Sequence, residues 1–375
     1  MRARDVIGRL VNVPGPSGFE DAVGLAIRDE VASIGEPSFD SMGNLILRLP
    51  APEGAPTLMV MAHMDEVGLL VKYIDPSGLL YCEANGLIDE RTLFATQIDI
   101  WTADGPRLGV VGVKSRHLLT EAELRTPPSI NDMWVDVGAD SAAGVAALGI
   151  EIGLPATFHP TARRMSDDVL TSKSVDNRAG CSVLVEAAHA VAGESRDVEL
   201  IFVWSTQEEI GSRGAQVAAQ HLQPDVAVVL DTMPANDAST PTRHAASVVG
   251  GGPAIRAQDI RAGRGTIYSV AARRRIRSVA EREGIPYQLD VFPTWTDACG
   301  VHLAGRGIPT AGVYIPRRCS HSPNEVIDLR DLDTTAALVT AFLRDLGADA
   351  VRTMASRPVD PPPTRRPVGE ELADV

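Results

Sequence analysis

The second half of the chain sets the tightest limit on its fold. From residue 177 a helical stretch, "NRAGCSVLVEAAHAVAG", is followed by the apolar run "VELIFVW". A second helical stretch, "SRGAQVAAQHL", and a second apolar run, "DVAVVLD", come next. Apolar runs of this kind, alternating with helices, are strands covered on both faces, and the helices between them are parallel crossovers. Upstream, "NLILRLP" and "TLMVMAHMD" read as strands of the same sort. Helices are expected over 3–12 and over 20–34, the second opened by Ser17 and acidic residues and closed by Gly35. Downstream the pattern gives a helix near 265–283, strands at "YQLDVF" and "TAGVYIP", and an amphipathic helix over 330–346. The expected class is α/β, with a mostly parallel central sheet and helices on both faces.

The stretch from 67 to 157 breaks this rhythm. "VGLLVKYI", "QIDIWT", "RLGVVGV" and "MWVDVG" are short β-like runs separated by Gly, Pro and Asp turns. They read as a small β-rich domain inserted into the α/β one, whose two parts are then 1–66 and 158–350. The last segment, 351–375, contains "RPVDPPPTRRP" and is expected to be a disordered tail. The basic run "ARRRIRSVAERE" reads as the solvated face of a helix.

Composition narrows the function. The formal net charge is −14, which argues against a nucleic-acid binder and against an anionic membrane surface. The same charge suits sites that hold cations, and solubility alone would also account for it. Aromatic residues are only 4% of the chain, so the core must be built from Val, Leu, Ile and Ala. No apolar run approaches the ~18 residues of a membrane span. The opening "MRARDVIGRLVNVPG" lacks the apolar stretch of a signal peptide. Cys82, Cys181, Cys299 and Cys319 show no CxxC spacing and read as reduced, mostly buried thiols of a cytoplasmic protein.

Polar residues with metal-binding chemistry fall where the strands end. His63 and Asp65 follow "TLMVMA", Glu208 and Glu209 follow "VELIFVW", Asp231 ends "DVAVVL", and His321 follows "TAGVYIP". Asp176 stands just before a helix. Ligands of open parallel sheets bind beyond the carboxyl ends of the strands. Singly, each residue has an ordinary reading: a hydrogen-bonded histidine, a capping aspartate, or a glutamate pair at a helix entrance. Jointly, His63, Asp176, Glu209, Asp231 and His321 make a set of two nitrogen and three carboxylate ligands suited to zinc, cobalt or manganese.

"AHMDEVG", "SVDNRAG", "STQEEIGSRGA", "LDTMPA" and "CSHSPNEVIDL", in this order, closely resemble the tetrahedral aminopeptidase family of dinuclear-metal exopeptidases. The resemblance covers about 1–346 and leaves out the tail. It implies two divalent ions per subunit, zinc before cobalt or manganese. One would be held by His63 and Asp231, the other by Glu209 and His321, with Asp176 bridging. It implies Asp65 as the group that orients His63 and Glu208 as the general base. The inserted domain would be a barrel-like assembly module. The partners implied are short peptides as substrates and further copies of the chain, in a dodecamer built from dimers.

Two positions depart from the family pattern. Trp295 stands before "TDA" where glycine is usual, and Cys319 stands where an aromatic is common. Both are expected near the substrate pocket. With "DTMPAND", Trp295 keeps open a related dinuclear amidohydrolase, a deacylase or specialised dipeptidase. A non-catalytic assembly protein is the remoter alternative. A glycosidase built on paired carboxylates would leave His63 and His321 unexplained.

Overall fold

The computed structural model describes residues 2–126, 128–235, 247–261 and 263–356. Alternation along the strands builds the main domain. In the strand Thr57–His63, Leu58, Val60 and Ala62 enter one hydrophobic core, while Met59 and Met61 enter another on the opposite face. The strand Glu199–Ser205 divides in the same way, with Leu200, Phe202 and Trp204 on one side and Ile201 and Val203 on the other. A strand that is apolar on both faces must be covered on both. The helices Ala3–Leu10, Asp21–Val31, Val175–Val191, Val270–Glu283 and Leu329–Asp345 cover the first face. Arg213–Leu222 and the short Ala298–Val301 cover the second.

Four central strands are parallel, in the spatial order Glu199–Ser205, Thr57–His63, Val226–Pro234, Thr310–Arg318. The flanks are antiparallel: Leu45–Leu49 on one side, then Glu325–Asp328 and Val169–Ser172 on the other. A further layer, Ala254–Arg261 with Arg264–Ile267 and Gln288–Phe292, branches from Thr310–Arg318. The parallel expectation therefore holds at the centre, where the site lies. The helix expected near 265–283 begins only at Val270, where the Ser269 side chain caps it by accepting from the Ala272 N–H. The residues before it form the strand Arg264–Ile267 instead.

Between Gly68 and Phe158 the chain closes an antiparallel barrel. Its strands follow the order Gly68–Ile74, Leu80–Asn85, Trp134–Asp136, Gly105–Gly112, Gln97–Thr102, Pro155–Phe158. The barrel has its own core, with Leu69, Val71, Leu80, Ile98, Ile100 and Val135 among its members.

The chain stays ordered past the expected start of the tail. Ala348–Ala355 is a helix, and its Val351 and Met354 are buried in the main core. Two apolar residues three apart are enough to seat one short helix. The rest of the expected tail, 357–375, lies outside the described residues. No helix among the described residues is long and apolar enough to cross a membrane. All four cysteines are free; Cys82 and Cys181 are buried, Cys299 is half-buried and Cys319 is exposed, so burial is less general than expected.

Candidate metal centre

The parallel strands bring their polar residues to one end of the sheet. His63 closes its strand, and Glu208 and Glu209 sit in the turn after Ser205. Asp231 lies within the strand Val226–Pro234, opposite Tyr314, three residues earlier than a strand end. Asp176 opens the helix Val175–Val191 with a non-helical backbone, and the Asp176–Asn177 peptide is cis. Asn177 ties this turn to the sheet, donating to the Leu230 carbonyl at 2.9 Å. Ser174, Gln207, Ser212, Cys319 and His321 all have φ between +52° and +57°. Non-glycine residues seldom adopt that region, and such residues concentrate at functional sites.

Asp176 stands between the two histidines. Its Oδ1 is 3.3 Å from His63 Nε2 and its Oδ2 is 3.3 Å from His321 Nε2. Asp231 Oδ1 lies 3.5 Å from the same His63 nitrogen, and Glu209 Oε1 lies 3.4 Å from that of His321. One ligand atom each from His63, Asp176 and Glu209 fall within 4.8 Å of one another. Glu208 Oε2 is 3.9 Å from His63 Nε2. The adjacent glutamates are held apart by Asp65, whose Oδ1 accepts from the Glu208 N–H at 2.9 Å and whose Oδ2 accepts from the Glu209 N–H at 3.0 Å. Ser17 Oγ donates to Asp65 Oδ2 at 2.6 Å. Asp65 Oδ1 is also 3.2 Å from His63 Nδ1, off the line of a hydrogen bond.

The barrel reaches into this centre. Its Leu87 carbonyl faces His321 Nδ1 at 2.5 Å, which leaves Nε2 turned toward Asp176 and Glu209. The neighbouring Gly86 has φ +103°, and a β-carbon there would come within 3.3 Å of the Glu209 side chain. Only glycine lets the turn press so close.

The electrostatics ask for added positive charge. Asp176 Oδ1 and Glu209 Oε1 are buried and accept no hydrogen bond, which is unusual for carboxylate oxygens away from water. Burial, reinforced by Asp176 and Asp65, pushes Glu209 up to about 8. Burial, with Glu209, Asp231 and Asp297, likewise raises Glu208 well above the carboxylate range. Burial works against charge on His63, but Asp176, Asp231 and Asp65 outweigh it and hold the imidazole well above its ordinary value. Burial also opposes charge on His321, yet Glu209 and Asp176 raise it to about 9. Burial opposes charge on Asp176 as well, but Arg317 and the two imidazoles outweigh it and hold that carboxyl well below its ordinary value. Glu208, Glu209 and Asp231 pair with no guanidinium among the described residues, and burial raises all three. Divalent ions reverse that logic, so the donor set fits them.

Sequence reasoning missed the cation that is present. Arg317 is buried and paired through Nη2 with Asp176 Oδ2 and through Nη1 with Glu325 Oε1 at 2.6 Å. In sequence it looks like one of two arginines at a fraying strand end, and nothing there separates it from Arg318, although the structure buries residue 317 and leaves Arg318 exposed. Asp297 was also passed over; it is fully buried and accepts from Ser205 Oγ. Burial pushes Asp297 up to about 7.

A cavity of about 300 Å³ opens on the cluster, lined by His63, Glu208, Asp231 and His321 together with Phe292, Trp295 and Arg261. Trp295 thus lines the cavity, as expected. Cys319 is exposed and does not line it, whereas the next two residues, Ser320 and His321, do. Of the "DTMPAND" stretch, Thr232 and Pro234 line the cavity, and Asn236 and Asp237 lie outside the described residues.

The M42 glutamyl aminopeptidase profile matches residues 43–338 of the chain. The lysyl aminopeptidase of Pyrococcus furiosus is 33% identical over 350 residues, spanning 91% of this chain and 97% of its own length. Among solved structures, an aminopeptidase from the archaeon Desulfurococcus kamchatkensis is similar with a TM-score of 0.90 at 32% identity, over 96% of this chain and 99% of that one. The TET1 peptidase of Pyrococcus horikoshii, which can assemble into a tetrahedron or a large octahedral shell, gives a TM-score of 0.83 at 29% identity, over 92% and 100%.

Proposed function

The chain belongs to the M42 glutamyl aminopeptidase family and is an aminopeptidase; on that footing we propose that it removes N-terminal residues from short peptides with two divalent cations and Glu208 as general base. The observation that carries this reading is the Asp176 carboxylate set between two imidazoles, with one oxygen toward each. His63 and Asp231 would hold one ion, Glu209 and His321 the other, and Asp176 both. Zinc suits the donors best, with cobalt or manganese as alternatives. When bound, such a pair supplies Lewis acidity, making a water more acidic and polarising the scissile carbonyl.

The chain's own groups do the rest. Glu208 takes a proton from the attacking water and returns it to the leaving amine. Asp65 fixes the turn so that Glu208 and Glu209 serve different partners. The cavity wall of Phe292 and Trp295 excludes water and receives the N-terminal side chain. Residues 1–66 and 158–350 form the catalytic unit in this reading, and 67–157 an assembly unit of a cytoplasmic homo-oligomer, a dodecamer built from dimers. The tetrahedral and octahedral shells of the Pyrococcus horikoshii protein support assembly into a large homo-oligomer.

The test is metal content together with turnover on a panel of aminoacyl-anilides, before and after chelation. About two divalent ions per chain, with activity lost on chelation and restored by added metal, is the expected result. Full activity in metal-free protein would end the reading. Because Trp295 lines the cavity, the panel should include N-acyl amino acids; a preference for those would point to a deacylase instead.

A further inference from the structure

Arg317 places a permanent positive charge beside the metal centre, and its position is one-sided. The guanidinium is almost fully buried and every one of its nitrogens is engaged. Nε donates to Thr232 Oγ1 at 2.6 Å, Nη1 to Glu325 Oε1 at 2.6 Å, and Nη2 to Asp176 Oδ2. Glu325 accepts in turn from the backbone N–H of Asp176 at 2.9 Å and from that of His321 at 2.8 Å. A planar fork held at three points cannot swing aside as a lysine could.

The two oxygens of Asp176 are therefore unequal. Oδ1, on the side of His63 and Asp231, accepts no hydrogen bond. Oδ2, on the side of His321 and Glu209, already shares its charge with the guanidinium. A cation on that side meets a weaker donor and a like charge in a water-poor setting, where charges interact strongly. The same guanidinium balances Glu325, so its removal would strand a buried carboxylate.

Building on the dinuclear reading above, we propose that Arg317 grades the two metal positions. The ion between His63, Asp231 and Asp176 Oδ1 binds first and tightly. The ion between Glu209, His321 and Asp176 Oδ2 binds second and weakly, because it shares its oxygen with a fixed guanidinium.

Calorimetric titration of the metal-free full chain with zinc tests this without reference to activity. The native protein should show two steps at least ~10-fold apart in affinity, a gap worth about 1.4 kcal/mol. The double variant Arg317→Met with Glu325→Gln removes the guanidinium and its balancing carboxylate together, avoiding a stranded charge. Its two steps should merge to within ~3-fold, chiefly by tightening of the second. Should that variant fail to fold, Arg317→Lys decides: the shorter ammonium cannot span Asp176, Glu325 and Thr232, and the gap should narrow at least ~3-fold. Two equal steps in the native protein, or an unchanged gap in a folded variant, would overturn the role of Arg317 and leave the dinuclear reading intact. A native protein that binds no divalent ion would overturn both.

Discussion

Two buried clusters of charge lie close together in this molecule, and they are built on opposite plans. Around Glu66, Lys173 Nζ approaches both carboxylate oxygens at 2.8 and 2.6 Å, the Gly15 N–H donates at 3.1 Å, and Arg178 lies at 3.4 Å. Arg178 in turn donates to the carbonyls of Leu10, Val13 and Met64. Every acceptor there has a donor from the chain itself. Around Asp176 the balance fails: Asp176, Glu208, Glu209 and Asp231 face two imidazoles and one guanidinium, and two carboxylate oxygens remain without a hydrogen bond. A closed cluster joins the N-terminal loops to the main helix. An open one is completed from outside. The distinction lies in donor accounting, and burial alone would not reveal it.

The largest expected effect falls on the open cluster. Glu208→Gln should lower turnover by about 10²–10⁴-fold, the usual cost of losing a general base. Metal content should stay at the native level, and the melting temperature should be equal or higher, since a buried carboxylate has been removed. Near-native turnover at full metal occupancy would take Glu208 out of the base role. The closed cluster should behave in the reverse way. Lys173→Met leaves Glu66 short of its main partner and should cost about 3–5 kcal/mol of stability by denaturant unfolding. Turnover per folded molecule, measured well below the transition, should change less than ~3-fold, on the scale of a fraction of the 1.4 kcal/mol that a factor of ten represents. A variant of native stability would show that the Lys173–Glu66 pair is not the glue described above.

A further effect belongs to neither cluster. Ending the chain at Gly347 removes Val351 and Met354 from the core, each worth about 1.5–3 kcal/mol before allowance for burial in the unfolded chain. Ending it at Ser356 should leave the melting temperature, metal content and turnover unchanged, because the described core ends at Met354. A tenfold loss of turnover on that shorter cut would give residues 357–375 a working role.

The open cluster was legible in sequence because most of its members interrupt apolar runs; Asp176, at a helix start, does not. A strand such as "VELIFVW" has no packing reason to end on two glutamates, and "TLMVMA" none to end on His and Asp. The β-rich insert was legible from turn-punctuated short strands, while its barrel form followed only from the family resemblance. The closed cluster was not, because Glu66, Lys173 and Arg178 sit in turns and at a helix start, where charge is ordinary. Arg317 hid for a related reason: beside Arg318 it looks like surface, and only the register of its strand turns it inward. Most of the helix Ala348–Ala355, from residue 351 on, was read as tail because two apolar residues next to a proline-rich stretch give too little pattern. Its burial depends on a groove formed by distant parts of the chain.

The contact between the barrel and His321 bears on how such a protein can be altered. The barrel has a separate core and closes on itself, so it looks like a cassette that could be exchanged for a short linker. The Leu87 carbonyl and the close approach of Gly86 to Glu209 deny that modularity. Excising the barrel would free the His321 ring to rotate and leave the flank of Glu209 uncovered, even if the remaining sheet folded undisturbed. What is an insertion along the chain borders, in space, the cavity over the candidate metal centre, and a designer who exchanges the barrel must keep the turn at Gly86 and Leu87.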